Sequence, residues 1–120
     1  MSVISKESHK VLYQVESNQV GLIKNSVIVL KIRKEDVTSI TKNGADVIIT
    51  LKNGEVITVQ NYFSEATPDN SLVFEGEDGT WYWAKFTTAN GDIADVIQYQ
   101  LLEEIKLLLY NDSLTDVILP

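Results

Sequence analysis

The sequence predicts a mainly β domain, an antiparallel β-hairpin meander of sandwich-like form with one C-terminal helix. Two observations predict the strands. Short runs rich in Val, Ile, Thr and aromatic residues recur along most of the 120-residue chain, and Asn-Gly or Asp-Gly pairs separate several of them. Such pairs readily adopt the positive φ angles that tight hairpin turns require. A third observation, a change to helical spacing of apolar residues after Phe86, predicts the helix.

The predicted strands follow one another with turn-forming residues between them. Asn43-Gly44, Asn53-Gly54 and Asp78-Gly79 lie between consecutive β-branched runs, which is typical of hairpin turns. The strands predicted in this way are, in chain order, Val11–Glu16, Ser26–Ile32, Val37–Thr41, Asp46–Lys52, Glu55–Asn61, Ser71–Gly76 and Thr80–Phe86.

Two-residue loops at the second and third of these turn pairs would set the register of two hairpins. Leu51 then faces Val56, and Phe74 faces Trp83. Because side chains alternate across a strand, a one-residue slip would move every side chain to the opposite face. The register therefore decides which face of the sheet carries each aromatic residue.

The C-terminal helix is predicted within Ile93–Tyr110, where apolar residues follow a three-four spacing with Glu103 and Glu104 between them. Asp92 or Asp95 would cap its start by accepting a free backbone N–H. An alternative is a short strand at Gln98–Leu101 followed by a shorter helix.

The chain length corresponds to one domain. We expect residues 1–110 to form this β domain and residues 111–120 to be a linker or the start of a next segment. The chain ends on Val117-Ile118-Leu119-Pro120, an unusual end for an acidic protein, so we expect the parent protein to continue. The N-terminus lacks the apolar region of a secretory signal. No apolar run approaches the roughly 20 residues of a membrane helix, so the domain is predicted not to span a membrane.

Composition argues against several classes of function. With 17 acidic against 10 basic residues, the net charge of −7 disfavours nucleic-acid binding, which needs a basic surface. The absence of Cys removes disulfides, thiolate zinc sites and cysteine nucleophiles. His9 is the single histidine, so neither a multi-histidine metal site nor a Ser-His-Asp relay is supported. No glycine pattern matches a phosphate-binding loop. We therefore predict no enzyme and no cofactor.

Acidic residues cluster at two places, and each cluster has two interpretations. Glu75, Glu77 and Asp78 would serve acid–base hydrolysis if they converged, but turn chemistry favours a solvated hairpin tip. Oxygen ligands at Glu77-Asp78 or at Asp92 and Asp95 would suit Ca²⁺, although no calcium-loop signature is present. Surface charge is the favoured interpretation, with Ca²⁺ as the minor alternative.

The candidate binding or framework aromatics are Trp81, Trp83, Tyr62 and Phe63. Strand alternation places the two tryptophans on one face and Tyr82 on the other. A core role is favoured because aromatic side chains dominate the cores of small domains. An exposed pair of tryptophans would instead bind sugar rings or a partner protein.

Strands of high β-propensity raise the alternative of self-association. Ser26–Leu30 and Val47–Leu51 contain no Pro and would pair with another chain if they lay at an exposed edge. Burial as central strands is the favoured interpretation.

The order of these segments resembles the prefix-like domain at the N-terminus of BapA-type biofilm-associated proteins, which are giant bacterial surface adhesins. The resemblance covers roughly residues 10–110, and Asn61-Tyr62-Phe63 and Trp81–Trp83 are its most specific parts. The segments that carry it are, in order, Ser26–Ile32, Asp36-Val37, Asn43–Leu51, Gly54–Phe63, Asn70–Glu75 and Asp78–Trp83.

The resemblance implies a non-catalytic domain at the start of a very long adhesin with immunoglobulin-like repeats and a C-terminal signal for one-step type I secretion. It implies a secreted or cell-surface protein associated with the outer membrane. Because the C-terminus would leave first, the expected function is to retain the adhesin at the export pore. The expected partner is a protein, either the outer-membrane exporter or a second copy.

One departure concerns cleavage. Some adhesins are cut at an Ala-Ala pair in a retention module, and here Thr88–Gly91 only approximates such a site, so regulated cleavage is not expected.

Two alternatives to retention stay open: a biofilm matrix module that self-associates through strand edges, and a ligand- or glycan-binding β domain that uses Trp81 and Trp83. The family contributes no catalytic residues to transfer.

Overall fold

The computed structural model describes residues 1–89, 91–93 and 97–110. Residues 111–120, predicted to be a linker or the start of a next segment, lie outside the described residues. Within the described part, the helical segments are two short 3-10 turns, at Lys34–Asp36 and Ile105–Leu108. The strands are β1 (Ser2–Ser5), β2 (Val11–Gln14), β3 (Gln19–Gly21), β4 (Ser26–Leu30), β5 (Val37–Asn43), β6 (Asp46–Leu51), β7 (Val56–Gln60), β8 (Ser71–Glu75), β9 (Trp81–Lys85), β10 (Thr88–Ala89), β11 (Asp92–Ile93) and β12 (Gln98–Leu102).

The described strands form two main sheets that face each other. The larger sheet has the order β12-β9-β8-β4-β1-β2, the smaller sheet has the order β3-β7-β6-β5, and β10 pairs with β11 alone. Each main sheet contains one parallel pair, β4 with β8 and β3 with β7. These parallel pairs arise because the chain leaves one sheet, crosses to the other and returns. The mainly β prediction is confirmed, but the sheets are mixed rather than a simple antiparallel meander.

The main core lies between the two sheets. The larger sheet contributes Ile28, Leu72 and Phe74, and the smaller sheet contributes Ile49 and Val59, all buried. Every residue of β4 is buried, as expected for a central strand covered on both faces. β6 lies between β5 and β7 in the smaller sheet. The prediction that Ser26–Leu30 and Val47–Leu51 are central strands is therefore confirmed.

A second apolar layer covers the outer face of the larger sheet. Val27, Val29 and Val73 lie buried in this layer, where the tryptophans of β9 and part of the C-terminal segment pack against them. The segment 103–110, which we call the strap, leaves β12 at one edge of the sheet. It reaches the far end of β1, where the backbone N–H of Tyr110 donates to the carbonyl of Lys6 at 2.8 Å. The strap therefore crosses the sheet and closes its outer face.

The predicted helix within Ile93–Tyr110 is wrong. The described residues of this range contain the end of β11, all of β12 and one 3-10 turn. In β12 the apolar side chains alternate between faces, since Tyr99 packs against the main core and Leu102 belongs to the outer layer. The alternative is confirmed for its strand at Gln98–Leu101, but the shorter helix expected after it is wrong, since a 3-10 turn at Ile105–Leu108 follows among the described residues. Pairing with β9 overrides the helical spacing because it buries both faces of this strand in part.

The β6–β7 hairpin differs by one residue from its predicted register. The N–H of Leu51 donates to the carbonyl of Glu55 at 2.9 Å, so Leu51 does not face Val56. The loop therefore has three residues and ends on Gly54 at a φ of 89°. A turn followed by a left-handed glycine is a common three-residue hairpin connection.

The β8–β9 hairpin shows the same one-residue slip. Phe74 pairs with Tyr82 rather than Trp83, and the N–H of Gly76 donates to the carbonyl of Thr80 at 2.9 Å. Gly79, at a φ of 80°, again closes a three-residue loop. Tyr82 consequently shares the inner face with Phe74, whereas the tryptophans on either side of it share the outer face.

Candidate functional site

Three of the four candidate aromatics meet at one cavity. Tyr62, Phe63 and Trp83 line a cavity of about 560 Å³, which we call the aromatic pocket. It lies where β9 ends, beside the loop that carries the chain from the smaller sheet to the larger one. Further lining residues are Pro68, Asn70, Lys85, Phe86 and Gln98.

Three rings in mutual contact form the floor of the aromatic pocket. The centroid of the Tyr62 ring lies 5.1 Å from that of Phe63 and 5.7 Å from that of Phe86. The Phe63 and Phe86 centroids are 6.2 Å apart in an edge arrangement. Phe86 was missed by the sequence analysis; its one signal was its place at the end of a strand of alternating aromatics. Rings at these separations stabilise one another beyond simple burial.

Hydrogen bonds fix the position of Tyr62. Asn61, at a φ of 66°, turns the chain at the end of β7, and the Tyr62 hydroxyl donates to the carbonyl of Asn70 at 3.1 Å. The amide of Asn70 donates in return to the carbonyls of Tyr62 and Thr67, both at 2.8 Å. Burial, with a smaller effect of the Asp69 charge, raises the pKa of the Tyr62 hydroxyl far above its ordinary value. Tyr62 therefore stays neutral and serves as framework.

The rim of the aromatic pocket offers polar groups to a ligand. Lys85 holds its ammonium 5.0 Å from the centroid of the Trp83 ring, a cation–π arrangement. The exposed Gln98 adds an amide. Flat rings beside an ammonium and an amide are suited to a sugar ring or an aromatic group.

Trp81 lies apart from the aromatic pocket. Its indole N–H donates to the Glu75 carboxylate at 2.7 Å, and its ring packs against the outer layer near the strap. Trp81 and Trp83 share a face opposite Tyr82, as alternation predicts. That face is the outer one, so neither tryptophan lies between the two sheets.

Two of the three acidic residues of the β8–β9 hairpin form a solvated tip, as predicted, whereas Glu75 lies within β8 and accepts the Trp81 indole N–H. Glu77 and Asp78 are exposed. Asp78 accepts hydrogen bonds from the N–H and the hydroxyl of Thr80 at 3.1 and 2.6 Å. These bonds lower the pKa of Asp78 below its usual range. The carboxylate therefore closes the turn.

The other candidate metal ligands do not converge within the described residues. The Asp92 carboxylate accepts the backbone N–H groups of Lys42 and Ile93, whereas Asp95 lies outside the described residues. His9 is exposed in the β1–β2 turn at a φ of 63° and contacts the carbonyl of Tyr110. In the described ranges, no group of three or more acidic or histidine side chains is placed to hold a metal ion.

A second cluster, missed by the sequence analysis, joins the strap to the rest of the domain. Lys6, only 4% exposed, donates from Nζ to Oδ1 of Asp69 at 2.8 Å. The Tyr110 hydroxyl donates to Oδ2 of the same carboxylate at 2.9 Å and accepts from the Asn25 amide at 3.0 Å. We call these four residues the anchor cluster. Because its members lie far apart in sequence, no local motif indicates it.

The charge state of the anchor cluster follows from these contacts. The hydrogen bond from Lys6, reinforced by that from Tyr110, lowers the pKa of Asp69 below its ordinary value. Partial desolvation and the neighbouring carboxylate raise the pKa of Tyr110. At neutral pH the cluster therefore holds an ionised Asp69 and a neutral Tyr110.

A charged cavity of about 700 Å³ lies where β4 and β6 end. Arg33 and Asp36 form two hydrogen bonds of 3.1 Å there. Lys31, Lys52 and Glu77 also line it. Since both signs of charge are present, this cavity does not present the one-signed field that would select a strongly charged ligand.

No helix among the described residues is long and apolar enough to cross a membrane.

Comparison with known proteins assigns a family. Neither a curated protein nor a solved structure gives a significant match. The model of the family described as BapA, prefix-like domain, matches residues 1–119. This match includes every described residue from Met1 to Tyr110 and confirms the resemblance drawn from the order of the hairpins. The chain therefore belongs to the BapA prefix-like domain family.

Proposed function

We propose that this domain is the non-catalytic N-terminal module of a large secreted adhesin and that it retains the adhesin at the outer-membrane export pore. The family match over residues 1–119 is the observation that carries the proposal, since a BapA-type adhesin domain implies a surface or secreted protein. Retention, the type I export route and an exporter as partner are what the proposal adds.

The physical basis for retention is the size of the folded domain. Its Cα atoms extend 52 × 34 × 27 Å, whereas even a helical chain is only about 10–12 Å across. A channel that admits an unfolded or helical chain but is narrower than the folded domain is therefore blocked once this domain has folded. A domain that exits last would stop transit and keep the rest of the chain outside.

The strap determines how such a plug resists force. Among the described residues, tension applied from the C-terminal side reaches Tyr110 first, because the strap ends there on the anchor cluster. Next it meets the apolar contacts of Ile105, Leu108 and Leu109 with the outer layer. Only then does it reach β12, an edge strand that pairs with β9 alone among the described strands. The anchor cluster therefore protects the edge at which peeling of the domain would begin.

The test of retention compares adhesin on the cell surface with adhesin released into the medium. Deleting residues 1–110 from the adhesin that carries this domain is expected to shift it into the medium. Phe74→Ala is expected to do the same, because removing a fully buried ring costs about 3–5 kcal/mol of folding stability. Val56→Ala changes a side chain that is 45% exposed and serves as the control. Unchanged retention of the adhesin on the cell surface after the deletion would contradict the proposal.

A second candidate function is ligand binding at the aromatic pocket. The observation that favours it is the meeting of Trp83 with Tyr62 and Phe63 at a cavity with polar groups on its rim. Trp81→Phe leaves Trp83 as the one tryptophan in the chain and therefore as a specific fluorescence probe. Sugar binding is expected to shift its emission in a saturable way. Unchanged emission across a panel of glycans would count against this function.

A further inference from the structure

The edges of the two sheets differ in how well they are protected. β2 pairs with β1 through a register shift, and β3 has only three residues. β5 has a register shift between Val37 and Ser39, and its outer side contacts β11, where Asp92 accepts the N–H of Lys42. Irregular pairing, short length and coverage are ways in which natural sheets avoid edge-to-edge association.

The fourth edge, β12, lacks these protections within the described part of the chain. Its five residues pair with β9 in an unbroken register, and they include neither a charged residue nor Pro. No described strand pairs with its other side. Leu101 is 58% exposed at this edge. Unpaired main-chain groups on an uncharged strand are a template for adding another strand.

We propose that β12 is a self-association site at which two copies of this chain pair antiparallel about a twofold axis through Gln100. Gln100 then lies opposite Gln100 of the second copy. On the inner face, Tyr99 of each copy lies opposite Leu101 of the other. A twofold contact must use the same surface on both partners, and this strand is self-complementary in that register. The two larger sheets become one continuous sheet.

Side chains beside the edge support this register. The centroid of the Tyr99 ring lies 6.1 Å from that of the Phe74 ring. The Lys34 ammonium lies 5.7 Å from the centroid of the Tyr99 ring and 5.0 Å from that of the Tyr82 ring. Leu101 is paired with Tyr82 in the sheet but remains largely exposed. In the proposed pair, Leu101 of the second copy extends this cluster. Aromatic and aliphatic side chains directly opposite each other are favourable cross-strand pairs.

The experiment is a charge exchange at the twofold axis. The purified 120-residue chain is expected to dimerise in a concentration-dependent way in sedimentation velocity. Gln100→Lys and Gln100→Glu each place like charges opposite each other, and each is expected to raise the dissociation constant about fivefold or more. An equimolar mixture of the two variants places opposite charges together and is expected to restore the dimer.

Controls separate this interface from others. Val11→Lys adds the same charge at a 52% exposed position of β2, the opposite edge of the larger sheet, and is expected to leave the dimer unchanged. Circular dichroism checks that each variant is folded. A monomer at every concentration, growth beyond the dimer, or a dimer insensitive to both Gln100 substitutions would overturn the proposal. So would failure of the mixture to restore pairing. Retention is measured separately in cells, so either proposal can fail alone.

Discussion

The Tyr110 hydroxyl donates a 2.9 Å hydrogen bond to Oδ2 of Asp69. This bond joins the end of the strap to the loop before β8, across 41 residues of sequence. Oδ1 of the same carboxylate accepts a 2.8 Å hydrogen bond from Nζ of the buried Lys6. One side chain therefore connects the turn after β1, the loop between the sheets and the strap. The stability of the outer layer should depend on this connection.

Removing the Tyr110 hydroxyl tests the connection. Tyr110→Phe keeps the ring but loses the bonds to Asp69 and Asn25, and a hydrogen bond of this kind contributes about 1 kcal/mol. The free energy of unfolding, measured by urea denaturation, is expected to fall by about that amount. Tyr13→Phe removes a hydroxyl that has no hydrogen bond to any residue in the described part of the chain, and it is expected to have little effect. Equal effects of both variants would contradict a specific role for Tyr110.

The anchor cluster also predicts a pH dependence. The pKa of Asp69 is lowered below its ordinary value of 3.8 in the folded state. Its contribution to stability is therefore present above about pH 4 and is lost as the pH falls through the folded pKa. The Asp69→Asn variant should be less stable than the unmodified chain at pH 7, and the difference should shrink below pH 4. Because Asp69 is largely exposed, about 1 kcal/mol or less is expected.

If the stability difference between the Asp69→Asn variant and the unmodified chain stayed constant from pH 7 to pH 2.5, it would contradict the assigned charge state of Asp69. Thermal unfolding monitored by circular dichroism at several pH values provides the measurement. Other carboxylates, such as Asp78, titrate equally in both proteins and cancel in the comparison.

The strap should shield the tryptophans of the outer layer. Ile105→Ala removes a half-buried side chain that packs against this layer. Tryptophan emission is expected to shift to longer wavelength, with a loss of about 1–2 kcal/mol of stability. Leu107→Ala is the matched control, since Leu107 lies in the same strap but is 64% exposed. An emission spectrum that neither variant changes would show that the strap does not cover the tryptophans.

The three-residue loop of the β8–β9 hairpin predicts how much folding stability a glycine substitution should cost. Gly79 has a φ of 80°, and a Cβ added there would meet no atom within 4 Å. The Gly79→Ala change should therefore cost about 1 kcal/mol through backbone strain alone. Gly21→Ala, where φ is not positive and the nearest atom lies at 3.4 Å, is expected to be nearly neutral. A neutral Gly79→Ala variant would argue against this loop conformation.

Local sequence pattern predicted most strands but not how they are arranged. Every predicted strand overlaps an observed one, because β-branched runs between turn pairs carry their own signal. The two-residue strands β10 and β11 were missed, and so were β1 and β3, which are only four and three residues long and contain polar residues. β1 and β3 depend on distant partners, such as Val3 with Ile28. The strand order likewise depends on crossovers between sheets, to which hairpin signals do not apply.

The candidate site was predictable only in part, for a related reason. Tyr62 and Phe63 were singled out as neighbours in sequence, but their meeting with Trp83 depends on the loop between the sheets. The anchor cluster depends on Lys6 and Asp69, each unremarkable in its local sequence. The helix prediction failed because three-four spacing within Ile93–Tyr110 also suits a strand covered partly on both faces.

The most direct test of retention by a folded domain is the fraction of adhesin released from cells across a graded series of variants. Release is predicted to rise with the loss of folding stability, from Tyr110→Phe through Ile105→Ala to Phe74→Ala, and to be greatest when residues 1–110 are deleted. The same released fraction for all of these proteins and the unmodified adhesin would contradict retention by the folded domain.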